Sequence, residues 1–306
     1  MTRPPERALG PDPGERRLPA PLLVLGAAVS VQAGAGLAVR VIDHAGPLVA
    51  VWMRLAFGAA MLAIARPAWR SRVGPEAWRA ALLFGAVLAA MNTAFYEAIG
   101  RIPLGVAVTI EFWGPLAVAV LASRRLLDLL WAFLAAAGIF ILAGGRLVAD
   151  DVVGIAFALA AGGLWAVYIL QGTRLGTAWP DGRGLGAAMV VGGVLLAVPA
   201  VLSGGPSLLE PWVLGAGLVV ALCSAVIPYT LELAALRRLR PGAYGVLTSL
   251  EPAIAALVGL VFLGQALEPA DGVAILFVVV ASAGASLEGV RQRRFAVPEE
   301  ALVVAD

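Results

Sequence analysis

GVAVTIE at residues 105–111 and GVLTSLE at residues 245–251 are separated by a constant offset of 140 positions. Gly105 and Gly245, Val106 and Val246, and Glu111 and Glu251 are identical pairs. Thr109 with Ser249 and Ile110 with Leu250 are conservative pairs, and the same offset pairs Asp128 with Glu268. Short apolar matches arise easily by chance, so the paired glutamates carry most of the weight. An internal repeat of this kind governs the whole fold, and its extent follows from the apolar stretches around it.

The chain has 306 residues, 61% of them hydrophobic and only 14% charged, and its mean hydropathy is +0.92. A water-soluble fold cannot hide that much apolar surface, so the relevant solvent is lipid. A bilayer core ~30 Å thick needs about 20 apolar residues per helix. Ten stretches qualify: 20–41, 47–65, 78–99, 103–122, 127–144, 152–171, 184–203, 211–232, 243–263 and 269–287. The first is too long for the apolar region of a signal peptide and lacks a clear small-residue cleavage site, so it reads as a retained helix. The expected fold is an all-α integral membrane protein with ten transmembrane helices. Residues 20–145 and 152–287 form two halves of five spans each, and an odd number inserts the second half upside down, giving two inverted five-helix repeats. A leader (1–19) and a tail (288–306) flank them.

All 22 basic residues are arginine, which reflects composition bias rather than function. Their placement orients the chain, because cytoplasmic segments retain positive charge. Both termini and the even-numbered connections hold eighteen of them, the opposite connections hold only Arg40, Arg101 and Arg146, and Arg54 lies inside the second span. Both termini are therefore expected on the cytoplasmic side of the inner membrane.

Several function classes drop out. The net charge of +2, with arginines in short clusters, gives no nucleic-acid footprint. One cysteine, Cys223, and one histidine, His44, leave no intrachain disulfide and no thiolate or imidazole metal site. No cofactor is expected. The chain has no GxSxG elbow, no HExxH pair and no GxxxxGK[ST] loop, which argues against an intramembrane protease or a nucleotide-driven pump. An inverted repeat is a hallmark of secondary transporters, whose two halves exchange conformations to open a central site to either side in turn. A stationary channel is the remaining competitor.

Four segments carry a resemblance: SVQAGAGLA (30–38), PLGVAVTIEFWGPLAVAVLASRR (103–125), WAVYILQG (165–172) and PYTLELAALRRLRPGAYGVLTSLEPAIAALVGLVFLG (228–264). With Glu251-Pro252 on a late span, Arg54 in span two and ten short spans, the chain resembles the EamA-type transporters of the drug/metabolite transporter superfamily. Within that family it is similar to bacterial inner-membrane threonine/homoserine exporters. The resemblance runs from about Leu22 to Ser286 and implies export of small amino acids in exchange for protons, and it allows a homodimer. Other EamA-type cargoes, namely aromatic amino acids, purines and cationic compounds, form the alternative. Two departures stand out: Gln265 replaces the Glu of a Leu-Gly-Glu turn, which is expected to matter only to a loop, and Glu97 stands where an apolar residue is usual.

Ionisable groups at membrane depth cost about 3 kcal/mol each on insertion scales and are functional candidates by default. A threonine-like zwitterion needs a cationic or helix-N-terminal partner for its carboxylate and an anionic or aromatic partner for its ammonium. Glu111, beside Phe112 and Trp113, is the first candidate for the ammonium. Gln32, Asn92, Tyr96, Trp113, Trp165, Tyr168 and Tyr229 supply the rest of a substrate cavity; Asn92 with Tyr96 and Trp165 with Tyr168 each share one helical face. Glu111, Glu251 and Glu97 are the proton-coupling candidates, since a carboxyl that is costly to ionise in low dielectric can load and release a proton during a cycle. Arg54 and Glu232 are assigned structural or charge-pairing roles, with direct carboxylate binding as the sharper alternative for Arg54. Glu97 has a helical-turn partner in Arg101.

Overall fold

The computed structural model of the chain describes residues 19–65, 67–121, 126–144, 149–236, 238–239 and 241–295. The expected leader up to residue 18, the tail from residue 296, and Arg66, Arg124, Arg125, Arg146, Arg237 and Arg240 lie outside the described residues. Among those described there is no strand. The helices are α1 (Ala20–Ala45), α2 (Pro47–Ala65), α3 (Pro75–Ile99), α4 (Leu104–Glu111), α5 (Trp113–Leu121), α6 (Leu126–Gly144) and α7 (Ala149–Ala178). They continue with α8 (Gly184–Gly204), α9 (Pro211–Ala221), a π-helical turn (Leu222–Val226), α10 (Ile227–Leu236), α11 (Pro241–Thr248), α12 (Glu251–Leu263) and α13 (Pro269–Phe295).

Proline sets many of the starts. Pro47, Pro75, Pro211, Pro241 and Pro269 open α2, α3, α9, α11 and α13, where the missing N–H has no helical acceptor in any case. Glycine closes α1 and α12: Gly46 at φ 87° and Gly264 at φ 66° turn the chain through conformations that favour a residue without Cβ.

Among the described residues seven helical stretches are long and apolar enough to cross a membrane: Ala20–Ala45, Pro47–Ala65, Pro75–Ile99, Val152–Ala178, Gly184–Leu209, Pro211–Glu232 and Tyr244–Leu263. Over the other three expected spans lie shorter apolar helices, Leu104–Val118, Leu130–Ile141 and Pro269–Ala285. Large apolar side chains face outward along them, with Ile64, Leu121 and Leu202 more than 80% exposed, as a lipid-facing surface requires. The stretch expected as tail from residue 288 begins inside α13, which continues to Phe295.

Three expected spans are interrupted, each just before a proline. Pro115 has no N–H for the Glu111 carbonyl four residues earlier, and the helix breaks at Phe112 between α4 and α5. Pro252 likewise leaves the Thr248 carbonyl, and α11 stops there, two residues before α12 begins. Pro228 leaves the Ser224 carbonyl, and the backbone relaxes into the π turn. Helix packing is between the halves: α3 runs along α7, α2 along α8 and α6 along α13, α4 crosses α12, and α1 packs against α9, the π turn, α10 and α12.

Candidate functional site

The three interrupted spans surround one cavity of about 470 Å³. Its wall takes Gln32 from α1, Arg54 from α2, Asn92 from α3, Glu111 from α4, Phe112 between α4 and α5, and Trp165 and Tyr168 from α7. Glu232, Tyr244, Thr248, Glu251 and Ser282 follow from α10 to α13. Arg54, Glu111, Glu232 and Glu251 thus converge on one space.

The break beside each repeat glutamate is built in the same way. Thr109 Oγ1 donates to the Gly105 carbonyl at 2.6 Å, and its repeat equivalent Ser249 donates to the Gly245 carbonyl at 2.7 Å. Both hydroxyls bond back one turn and end a helix next to a cavity carboxylate. Glu111, 8% exposed, lies within electrostatic range of Arg54 and Glu251, and Glu251 within that of Glu232.

Arg54 lines the cavity from α2, and Glu251 lies within electrostatic range of Glu232 rather than of Arg54. The Arg54 Nη2 donates to the Ser224 carbonyl at 3.4 Å, the carbonyl that Pro228 leaves without its helical donor. The guanidinium carbon lies 5.8 Å from the centroid of the Tyr96 ring. Among the described residues no carboxylate comes within 4.0 Å of it. Ser224 Oγ and Tyr96 Oη beside Arg54, and Gln32 Oε1 on the cavity wall, are buried without a hydrogen-bond partner, whereas the Asn92 amide N–H donates to the Leu88 carbonyl at 2.7 Å. Trp165 meets Phe112 edge to face at 5.1 Å and forms an aromatic wall next to Glu111.

Two residues expected in the cavity stand off its wall. Tyr96 is fully buried behind it, and Trp113 turns to α7, its indole N–H donating to the Leu159 carbonyl at 2.9 Å. The Tyr229 side chain lies outside the described residues. Glu97 is ion-paired with Arg101 at the end of α3, away from the cavity. Glu232 and Arg54, expected in structural or charge-pairing roles, both line the cavity. Gln265 does more than shape a loop: its Oε1 accepts the Leu104 N–H at 3.0 Å and so caps the start of α4 from the other half of the chain. Tyr244, Thr248 and Ser282 line the wall without having been singled out in the sequence. Tyr244, Thr248 and Glu251 recur at i, i+4 and i+7, the spacing of a single helical face, which is the signal that finds them.

The cavity is lopsided along the bundle. Its wall extends to Glu232 and Tyr244, close to the connection between α10 and α11. At the end of the bundle where α1 stops and α4 starts, Ile42, Ile99, Ile102 and Leu104 are buried in the apolar core.

Residues 152–287 match the family described as the EamA-like transporter family. The threonine/homoserine exporter RhtA of Escherichia coli K12 is 40% identical over 87% of this chain and 90% of its own length. RhtA of Salmonella typhimurium LT2 is 39% identical over 89% of this chain and 94% of its own. A solved crystal structure matches with a TM-score of 0.61 at 19% identity, covering 90% of this chain and 98% of that one, and shares the fold.

Proposed function

Because the chain belongs to the EamA-like transporter family, and is a multi-pass membrane transporter rather than an enzyme, we propose that it exports small amino acids of the threonine and homoserine kind across the bacterial inner membrane in exchange for protons. The observation that carries this is the placement of Glu111 and Glu251, repeat equivalents beside paired helix breaks, on the wall of one cavity. Discontinuous helices at the bundle centre are where secondary transporters build their sites.

In this mechanism the ten spans form two inverted repeats of five, with both termini cytoplasmic. The packing supports that symmetry: α2 with α8, α4 with α12 and α6 with α13 each join spans five apart, and α3 against α7 has its counterpart in α1 against α9 and α10. The end of the cavity near the α10–α11 connection then faces the cytoplasm, and the cavity loads cargo from inside. Glu111 and the Trp165 and Tyr168 rings receive the ammonium, with Gln32 and Asn92 beside them. Glu111 and Glu251 titrate as a coupled pair, so a proton arriving from outside and a cationic ammonium compete for the same carboxylates. That competition makes the exchange obligatory. Glu97, held by Arg101 at the end of α3, stands apart from it.

Reconstitution tests this directly. In proteoliposomes, labelled L-threonine and L-homoserine are expected to move saturably and to respond to an imposed pH gradient. A panel of aromatic amino acids, purines and organic cations competes alongside. Movement of a panel member without threonine or homoserine transfers the reading to another EamA-type cargo, and linear, non-saturating flux replaces the transporter with a channel.

A further inference from the structure

Resting on the amino-acid reading above, we propose that Arg54 binds the substrate's carboxylate, so that the zwitterion lies with its carboxylate towards α2 and its ammonium towards Glu111 and the carboxylates of α10 and α12.

The first argument is an unmatched charge. A guanidinium presents five N–H donors, and Arg54 donates to one carbonyl at 3.4 Å, with a tyrosine ring face at 5.8 Å. A charge at membrane depth draws a counter-charge, and although Glu111 lies within electrostatic range of the half-buried Arg54, among the described residues no carboxylate reaches it within 4.0 Å. Arg54 also faces the cavity rather than the bilayer surface. A guanidinium fork in this position suits the planar, two-oxygen geometry of a carboxylate.

The second argument is a buried polar atom on the same cavity wall. Gln32 is 3% exposed, lines the cavity and leaves Oε1 without a partner. Buried amides are nearly always satisfied, and an exception needs a cause. A substrate that brings an O–H or N–H next to its carboxylate supplies the missing donor, as the side-chain hydroxyls of threonine and homoserine do.

The third argument is polarity. Glu232 and Glu251 line the cavity from α10 and α12 and act on one another, Arg54 lines it from α2, and Glu111 is within electrostatic range of both Arg54 and Glu251. A zwitterion turned the other way sets its carboxylate against two glutamates and its ammonium against an arginine. Electrostatics therefore selects one orientation and rejects amines that lack a carboxylate.

The test compares threonine with threonine amide and threoninol, which keep the amine and hydroxyl but lose the carboxylate, as competitors of labelled threonine in proteoliposomes. In the unaltered protein, threonine is expected to compete at least tenfold better than either analogue. Arg54→Gln is expected to weaken threonine tenfold or more while shifting the analogues less than twofold, which erases the preference, and Arg54→Lys to fall between the two. Thermal unfolding in detergent establishes that each variant is folded. Equal competition by the analogues in the unaltered protein overturns the assignment, and so does an equal loss for threonine and analogues in both folded variants. If threonine itself does not move, the amino-acid reading fails on its own evidence. The same comparison is then made on the panel member that moves, and a cargo without a carboxylate overturns the Arg54 assignment as well.

Discussion

In the proposed exchange Glu111 is the central residue, because it lies within electrostatic range of both Arg54 and Glu251. Glu111→Gln keeps the size and the hydrogen-bonding capacity but removes the titratable group. Its pH-driven flux is expected to fall to the level of empty vesicles while membrane insertion and detergent stability persist; pH-driven flux at the normal rate would move the proton role to Glu251. How far such assignments were legible depended on the helical face. Glu111 and Glu251 were legible because the repeat offset pairs them, and Glu97 with Arg101 because they are one turn apart. Trp113 opens α5 beyond the break at Phe112, and its indole N–H, bonded to the Leu159 carbonyl, turns the ring to α7 instead of the cavity wall. Tyr96 shares a face with Asn92, but α3 is packed on several sides, by α7, α8 and α2. In a helix apolar all round, periodicity does not say which buried side borders a cavity.

At the scale of elements, the α7–α8 connection contrasts buried packing with exposed charge. Trp179 is 1% exposed, meets Trp78 edge to face at 5.0 Å, and donates its indole N–H to the Ala77 carbonyl at 2.9 Å. Next to it, Asp181 accepts from the Ser71 hydroxyl and from the Arg183 backbone N–H at 3.2 Å. The Ser71 bond is the main cause that holds the Asp181 carboxyl below its ordinary range. A depressed pKa adds stability above the unfolded value of about 3.9, and that contribution is lost as pH falls through the lower folded value. It is therefore fully present at neutral pH, yet small, because the pair is exposed. Trp179→Ala is expected to cost about 3–5 kcal/mol and Asp181→Asn less than about 1 kcal/mol, read from thermal unfolding in detergent at neutral pH; comparable losses would reverse the ranking. A second element-level test concerns the crossing of α4 and α12, where a Cβ on Gly105 would meet Ala256 Cα at 2.7 Å. Since backbone has to move, Gly105→Ala is expected to destabilise by about 1–3 kcal/mol and to slow transport, whereas an unchanged unfolding temperature would mean that the crossing is looser than the distance indicates. The starts at Pro47, Pro211 and Pro269 coincide with expected spans, whereas α3 and α11 begin a few residues before the expected 78 and 243, at Pro75 and Pro241. The interruptions were not legible in the sequence, because a proline inside an apolar run breaks one helix and is absorbed by another, as Pro199 is within α8.

At the scale of the whole molecule, the sequence made the apolar stretches legible, but only packing between the halves shows that Ile42, Ile99, Ile102 and Leu104 are buried where α1 stops and α4 starts. Two hydrogen bonds join the halves there, from Arg40 to the Phe262 carbonyl at 3.3 Å and from the Leu104 N–H to Gln265 at 3.0 Å. At about 1 kcal/mol each, such bonds are weak enough to break and reform in every transport cycle. Alternating access requires both ends to be reachable, one at a time. With Cys223 replaced by Ser, Thr248→Cys on the cavity wall and Ile42→Cys in the apolar core near the end of α1 report the two states to a membrane-impermeant maleimide. Thr248→Cys is expected to react from the cytoplasmic side and Ile42→Cys to be protected. An outside-acid pH gradient, which favours the outward-open state, is expected to reverse this, slowing labelling at Thr248→Cys and exposing Ile42→Cys from the other side. Because a rocking bundle exchanges one opening for the other, the two rates have to move in opposite directions. If both rise together the protein opens as a pore, and if neither responds to the gradient the carboxylates are not coupled to the movement of the halves.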